Sequence, residues 1–397
     1  MSDSPSLPAS LPWVKKLVAF DTVSRHPNMA LIETVRDTFR AAGIEPTLTH
    51  DSSGRWANLF ATVPAHDGGT DGGIVLSGHT DVVPVDGQDW HSDPFDAQIR
   101  EGLLYGRGTC DMKGFIGVAL SLLPTMLATP LARPIHFALS FDEEVGCLGA
   151  PLLLKELSER GLRPDGCIVG EPTGMRPVIA HKGINLYHCC VRGVAAHSSL
   201  TSQGVNAIEY AARLICHIRD LADEMRANGP FDEHYDVPFT TAQTSMITGG
   251  NAVNTVPAEC SFQFEFRNLP TLDPTGVFSK IERYAEDTLL PRMRRENPAA
   301  AIEISRLAAV PGLDASEQAA ITQLVRALTD NRDRRKVTYA TEAGLFELAG
   351  IPAIVCGPGY IEQAHKANEY VSLEQLVACE GFLGKLIHSL SIAANPK

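Results

Sequence analysis

Four short apolar runs in this chain each lead into an acid or a histidine, and that placement constrains the fold more than any other feature. Ile74-Val75-Leu76 leads to His79 and Asp81, and Ile135 to Phe141 leads to Asp142-Glu143-Glu144. Ile168-Val169 leads to Glu171, and Ile354-Val355 stands one loop before His365. Apolar runs of this length read as buried strands. Helical patterns lie around them, over Leu11 to Val23, Leu31 to Ala42, Phe115 to Met126 and Ala150 to Arg160. Strands alternating with helices at this spacing predict an α/β architecture with a mainly parallel sheet. In such sheets ligands bind outside the carboxyl ends of the strands. The acids and histidines can therefore converge on one crevice although they are far apart in the chain.

The pattern changes after Lys182. Ile184 to Val191 reads as a strand, Asn206 to Met225 as a long helix, and Thr240 to Ile247 and Ala258 to Arg267 as two strands. A helix over Phe278 to Arg295 and a strand over Ala301 to Ala308 complete the set. Phe262, Phe264 and Phe266 alternate with Gln263, Glu265 and Arg267, the period of a half-buried antiparallel strand. The order β-α-β-β-α-β is that of a ferredoxin-like unit. The chain then returns to α/β with a helix over Glu317 to Thr329, a strand over Ile351 to Val355 and a helix over Leu373 to Leu390. The expected organisation is a catalytic α/β domain in two parts, residues 1–182 and 312–397, interrupted by an inserted domain over residues 183–311.

Composition excludes several classes. Lys plus Arg is 34 against 47 Asp plus Glu, a net charge of −13, which argues against a nucleic-acid partner. The most apolar stretch, Phe115 to Leu127, is too short to span a bilayer and contains Pro124, so no membrane association is expected. Met1 to Ser10 has no apolar core of a secretory signal, and the nine cysteines include no C-x-x-C pair. A cytoplasmic protein with reduced thiols is expected.

The chemistry follows from charge. Asp111 lies in the Gly-rich turn Gly106 to Asp111 that opens a helix. Asp111, Glu144 and Glu171, gathered with neutral imidazoles, would repel one another without a cation. One dication balances two of the three charges; two overshoot by one, which a single hydroxide closes. Nitrogen and oxygen donors without a thiolate pair suit zinc or a similar ion in a site with an open position. His79 and Asp81 are two residues apart on one strand face, so Asp81 is expected to accept the bond from the ring nitrogen of His79 that does not bind metal. Of Glu143 and Glu144, one can ligate while the other faces the attacking water; spacing leaves open which.

Five motifs then carry a resemblance: Ser77-Gly-His-Thr-Asp-Val-Val-Pro84, Tyr105-Gly-Arg-Gly-Thr-Cys-Asp-Met-Lys-Gly114, Asp142-Glu-Glu-Val-Gly146, Gly170-Glu-Pro-Thr173 and Ala364-His365. In these and in their order the chain resembles the M20 family of zinc-dependent metallopeptidases and deacylases. The resemblance implies two zinc ions, with cobalt as a substitute. Asp111 would bridge them, His79 and Glu171 would complete one position, and Glu144 and His365 the other. It implies Glu143 as general base, Asp81 as the residue orienting His79, and a cis peptide after Asp111. His197, in Gly193-Val-Ala-Ala-His-Ser-Ser199, would reach a partner subunit's site and stabilise the oxyanion, in a homodimer formed through the inserted domain. Asn254 and Arg267 would hold the substrate carboxylate.

Within the family, Ala180-His-Lys-Gly183, His197-Ser-Ser199 and Gly357 to His365 resemble the branch that releases acetate from N-acetyl-L-ornithine in arginine synthesis. Desuccinylase, carboxypeptidase and broad aminoacylase activities are the rivals within the family. A non-catalytic amino-acid-binding protein is the rival outside it.

Overall fold

The computed structural model describes residues 7–394. The reading made on Met1 to Ser10 rests largely on residues outside that range. The chain divides into two units, one formed by residues up to 180, 315–336 and from 341 onward, the other by residues 181–314 and 337–340.

The first unit is built on a mostly parallel sheet. Its strands run in the order Thr47–His50, Ala57–Val63, Ile135–Ser140, Ile74–His79, Gly166–Pro172, Ala353–Gly357 and Val178–His181. The four central strands, 135–140, 74–79, 166–172 and 353–357, pair in parallel. They are buried along their whole length, as near-continuous apolar runs between helical layers should be. The two N-terminal strands and Val178–His181 add antiparallel edges. Helix Lys113–Ser121 is the most buried, with Lys113 to Leu120 all inside. Its approach to the sheet requires Gly170: a Cβ there would lie 2.0 Å from the Phe115 ring. That close contact sets the helix that follows Asp111 against the strand that carries Glu171.

The expected helix over Leu11 to Val23 ends at Val18. The segment after it is drawn into backbone pairing instead: Val82 N donates to Thr22 O and Ser24 N donates to Val82 O, each at 3.1 Å. Further features were not anticipated: the strands Thr47–His50, Ala57–Val63 and Val178–His181 of the main sheet, a small three-stranded sheet of Gln98–Arg100, Leu103–Tyr105 and Tyr370–Ser372, and the short helix Ala343–Leu348.

The second unit is the ferredoxin-like β-α-β-β-α-β set. Strands Thr241–Gly249, Glu259–Arg267, Ile184–Arg192 and Ala301–Val310 form, in that order, an antiparallel sheet. Phe262, Phe264 and Phe266 are buried and join one core with helix Ala207–Asn228, whose start is capped by the Asn206 side chain. The second helix begins earlier than expected, at Pro274, where the Asp273 carboxylate accepts from Thr275 N. It continues through a wide turn at Tyr284–Leu289 to Glu296.

Candidate metal centre

All seven residues expected at the catalytic cluster lie in the first unit. His79 is the last residue of its strand. Its Nε2 is 3.0 Å from Asp111 Oδ1 and 3.6 Å from Glu171 Oε1. On the far side of Asp111, His365 Nε2 is 3.1 Å from Oδ2, and also 3.1 Å from Glu144 Oε2. Asp111 thus offers one carboxylate oxygen to each imidazole. Ligand-type atoms of His79, Asp111 and Glu144 lie within 4.8 Å of one another, as do those of His79, Glu143 and Glu171. The Asp111-Met112 peptide is cis.

Asp81 departs from the sequence expectation. The Nδ1 of His79 is 2.9 Å from the backbone carbonyl of Asp81, and its carboxylate is farther away, at 3.6 Å. The carboxylate is engaged elsewhere. It accepts from Glu143 N at 3.0 Å, from Glu144 N at 3.3 Å and from Ser24 Oγ at 2.8 Å. Asp81 therefore still fixes the ring of His79, through its main chain, while its side chain holds the backbone of the two glutamates.

Burial and crowding set the protonation states. Burial, reinforced by Glu144, Asp81 and Asp111, outweighs the pull of His79 and pushes Glu143 up to about 8. Burial and the charge of Asp111 push Glu144 up to about 7 against the opposing bond from His365. Burial and Asp111 also hold Glu171 well above the usual carboxylate range. Burial would raise Asp111 as well, but the bonds from His365 and His79 outweigh it and lower it. Hydrogen bonds to Asp111 and Glu144 push His365 up to about 10. His79 is pulled down by burial, yet Asp111 and Asp81 hold it well above its ordinary value. Without a cation the cluster keeps protons in order to stay together. Two imidazoles facing one bidentate carboxylate, with further carboxylates beside each, are the donors a pair of dications needs. No thiol competes: Cys110 Sγ points to Tyr360 O at 3.4 Å, and Cys147 Sγ donates to Glu143 Oε1 at 3.3 Å.

His197, Asn254 and Arg267 all belong to the second unit. His197 is exposed, with Nδ1 2.8 Å from Ser199 Oγ, and the carbonyl of exposed Asn254 accepts from Ser198 N at 2.9 Å. Arg267 ends its strand, with Nε 3.3 Å from Glu265 Oε1. It lines a cavity of about 520 Å³ with Lys182, Arg219, Gln243 and Glu265.

The sequence reading missed Ser24, Glu342 and Glu369. Buried Glu342 accepts from Ser77 Oγ at 2.6 Å and from Ser140 Oγ at 2.7 Å, on the strand that ends in His79 and the strand that leads to Glu143 and Glu144. Its only sequence signal is an acid between Thr341 and the apolar stretch Ala343 to Leu348, which is indistinguishable from a surface helix start.

The cluster and the fold define a hydrolase of the metallo-peptidase and amidohydrolase class. Residues 75–389 match peptidase family M20/M25/M40, and the chain belongs to that family. It is 35% identical to an acetylornithine deacetylase of Myxococcus xanthus over 391 residues, 98% of each chain. It is 31% identical to one of Pasteurella multocida over 388 residues, 96% of this chain and 98% of the relative. In fold it resembles a tripeptidase of Staphylococcus aureus, with a TM-score of 0.74, 20% identity and 98% of each chain covered. It also resembles an M20 family metallo-carboxypeptidase of Sulfolobus solfataricus, with a TM-score of 0.73, 17% identity, and 95% of this chain and 98% of that one covered.

Proposed function

We propose that the protein hydrolyses the amide of N-acetyl-L-ornithine to L-ornithine and acetate, as a cytoplasmic step of arginine synthesis, with two zinc ions that cobalt can replace. One observation carries the metal reading: Asp111 sits between His79 and His365, one oxygen to each, with Glu171 and Glu144 alongside. The names of the full-length relatives support the substrate, and the nine free cysteines suit a reducing compartment.

In this reading Asp111 would be shared by the two cations, His79 and Glu171 would hold one of them, and Glu144 and His365 the other. When bound, the cations supply Lewis-acid polarisation of the acyl oxygen and a lowered pKa for the attacking water. Glu143 takes the proton from that water and delivers it to the leaving amine. Asp81 keeps Glu143 and Glu144 on their turn through the two backbone N–H bonds. Arg267 and Asn254 hold the substrate carboxylate, Arg267 by a paired hydrogen bond. His197 of a second copy donates to the oxyanion.

The dimer is proposed through the exposed edge strand Thr241–Gly249, which has a neighbouring strand on one side only and where Met246 and Ile247 are 62% and 56% exposed. No helix among the described residues is long and apolar enough to cross a membrane.

The test compares turnover of N-acetyl-L-ornithine, succinyl-diaminopimelate and N-acetyl-methionine, with and without added zinc or cobalt. Metal-dependent preference for acetylornithine is the expected result. Chelator-insensitive turnover, or preference for either of the others, overturns the proposal at the metal or at the substrate respectively.

A further inference from the structure

Glu369 is an acid with no part in the proposed hydrolysis. It is 1% exposed, four residues after His365 in the chain. Its carboxylate accepts from three backbone amides of the Gly-rich turn: Gly108 N at 3.1 Å, Cys110 N at 2.9 Å and Asp111 N at 3.0 Å. Converging amides of this kind make a concave anion site. Here the chain fills it with its own side chain. The turn needs glycine at 108, where φ is +85° and a Cβ would lie 2.8 Å from Val82 Cγ1.

The same carboxylate is 2.7 Å from Nη1 of the fully buried Arg107. That guanidinium lies over the Trp90 ring, 5.1 Å from its centre, and Nη2 donates to Gln88 Oε1 at 2.6 Å. Gln88 Nε2 in turn donates to the carbonyl of His365 at 3.2 Å. Asn368 closes the loop, donating to Asp89 O at 3.2 Å and accepting from His91 N at 2.8 Å.

His365 differs from His79 in what holds it. The His79 side chain is 1% exposed and sits on a strand. The His365 side chain is 50% exposed on a loop, with φ of +62° at His365 and +58° at Asn368. Packing cannot fix a half-exposed ring, so its position relative to Asp111 depends on the bonds that tie its loop to the Asp111 turn.

We infer that Glu369 is a positioning residue for one half of the metal centre: with Arg107 and Gln88 it locks the His365 loop to the Asp111 turn. The cation position formed by Asp111, Glu144 and His365 depends on that lock for both its histidine and Asp111, and the position formed by His79, Asp111 and Glu171 for Asp111 alone. The inference rests on the proposed metal reading and extends it to residues outside the ligand set.

The test strips the full-length protein with a chelator and titrates it with cobalt(II), following heat by calorimetry and ligand-field absorption in the visible range. Wild type is expected to take up two ions in two steps. His365→Ala marks which step belongs to its side of Asp111. In Glu369→Gln that step is expected to weaken about 10- to 100-fold, the range for loss of an outer partner, with its absorption altered. The other step, which shares Asp111 but takes its histidine from a strand, is expected to weaken by a clearly smaller factor. A role in folding stability alone would lower the melting temperature and leave both steps unchanged, and that result overturns the inference. Equal weakening of both steps overturns it as well. Gln88→Ala, at a part-exposed residue, is expected to weaken the same step by a smaller factor. It decides the matter if Glu369→Gln does not fold, an unchanged step then counting against the inference. Wild type that takes up no cobalt refutes the metal reading itself, and the inference with it.

Discussion

Replacing Glu143 by Gln isolates the proton-transfer role proposed for that residue. The substitution keeps the side chain's size and changes one oxygen. Glu143 is held by its main chain, through the bond from its N–H to Asp81 Oδ1 at 3.0 Å, and an amide side chain leaves that bond intact. Its only side-chain hydrogen bond among the described residues is from the thiol of Cys147 at 3.3 Å, a weak donor that the amide oxygen also accepts. The five proposed ligands are untouched. The turn should therefore stay in place, and both cations should still bind. The change removes the acceptor for the proton of the attacking water. Loss of a positioned general base is worth about 10²- to 10⁴-fold in rate, or ~3–5 kcal/mol in the barrier. The assay measures kcat on N-acetyl-L-ornithine from the fall in amide absorbance, with elemental analysis of bound metal on the same samples. A variant with full metal and near wild-type kcat refutes the base assignment. Lost activity accompanied by loss of one cation would instead make Glu143 a ligand.

In the metal-free protein His365 holds its proton up to about 10, Glu143 to about 8 and Glu144 to about 7, so bound cations must displace protons. Adding zinc to stripped protein at pH 7 is expected to release at least about one to two protons per chain, the share of His365 and Glu144 alone, read by an indicator dye, and the apparent affinity should fall as pH falls. Gly170→Ala is expected to destabilise the first unit by at least ~1–3 kcal/mol, because its Cβ would lie 2.0 Å from the Phe115 ring in a packed core; an unchanged urea midpoint would show that the helix can move away. His136 is buried, which lowers its pKa below the ordinary value despite the bond to Gly72 O. The unfolded chain then binds the extra proton first, so the stability His136 contributes is present above about pH 6.5 and is lost as pH falls toward its depressed folded value. Urea midpoints from pH 7.5 to 5 should drop in wild type and drop less in His136→Asn.

Much of the site was legible because it obeys a rule about strands. His79, Glu143, Glu144 and Glu171 come directly after apolar runs, and such runs in an α/β sheet deliver the next residues of the chain to one edge. The alternation of Phe262, Phe264 and Phe266 was equally readable, since a two-residue period has one structural meaning. Glu342 and Glu369 were not readable. Each acts through hydrogen bonds to residues more than 200 positions away, such as Ser77 and Asp111, and neither comes after an apolar run. The early end of the first helix was hidden for a similar reason. Asp21 to Ser24 leave the helix to pair with Thr80–Val82, a partner that periodicity around Leu11 cannot reveal.

Asp81 shows why motif and mechanism need not divide along the same lines. Read along the chain, His79-Thr80-Asp81 is a histidine with a supporting acid, and Asp142-Glu143-Glu144 is a separate acidic turn. In the fold they form one unit. The carbonyl of Asp81 takes the ring N–H of His79, which leaves Nε2 to face Asp111 and Glu171. Its carboxylate takes the N–H of Glu143 on one oxygen and that of Glu144 on the other. A proposed ligand at the end of one strand, and the proposed base and another proposed ligand on the turn after the neighbouring strand, are thus set relative to each other by a single residue. Ser24, on the segment that leaves the first helix, donates to that same carboxylate. Asp81→Asn would keep the carbonyl and lose one of the two acceptors, turning an amide NH₂ toward a backbone N–H in a dry site. The imidazole should stay in place while the glutamate turn loosens. The expected cost is about 1–3 kcal/mol for the donor left unpaired, and it should be felt in the position of Glu143 and Glu144 before it is felt at His79.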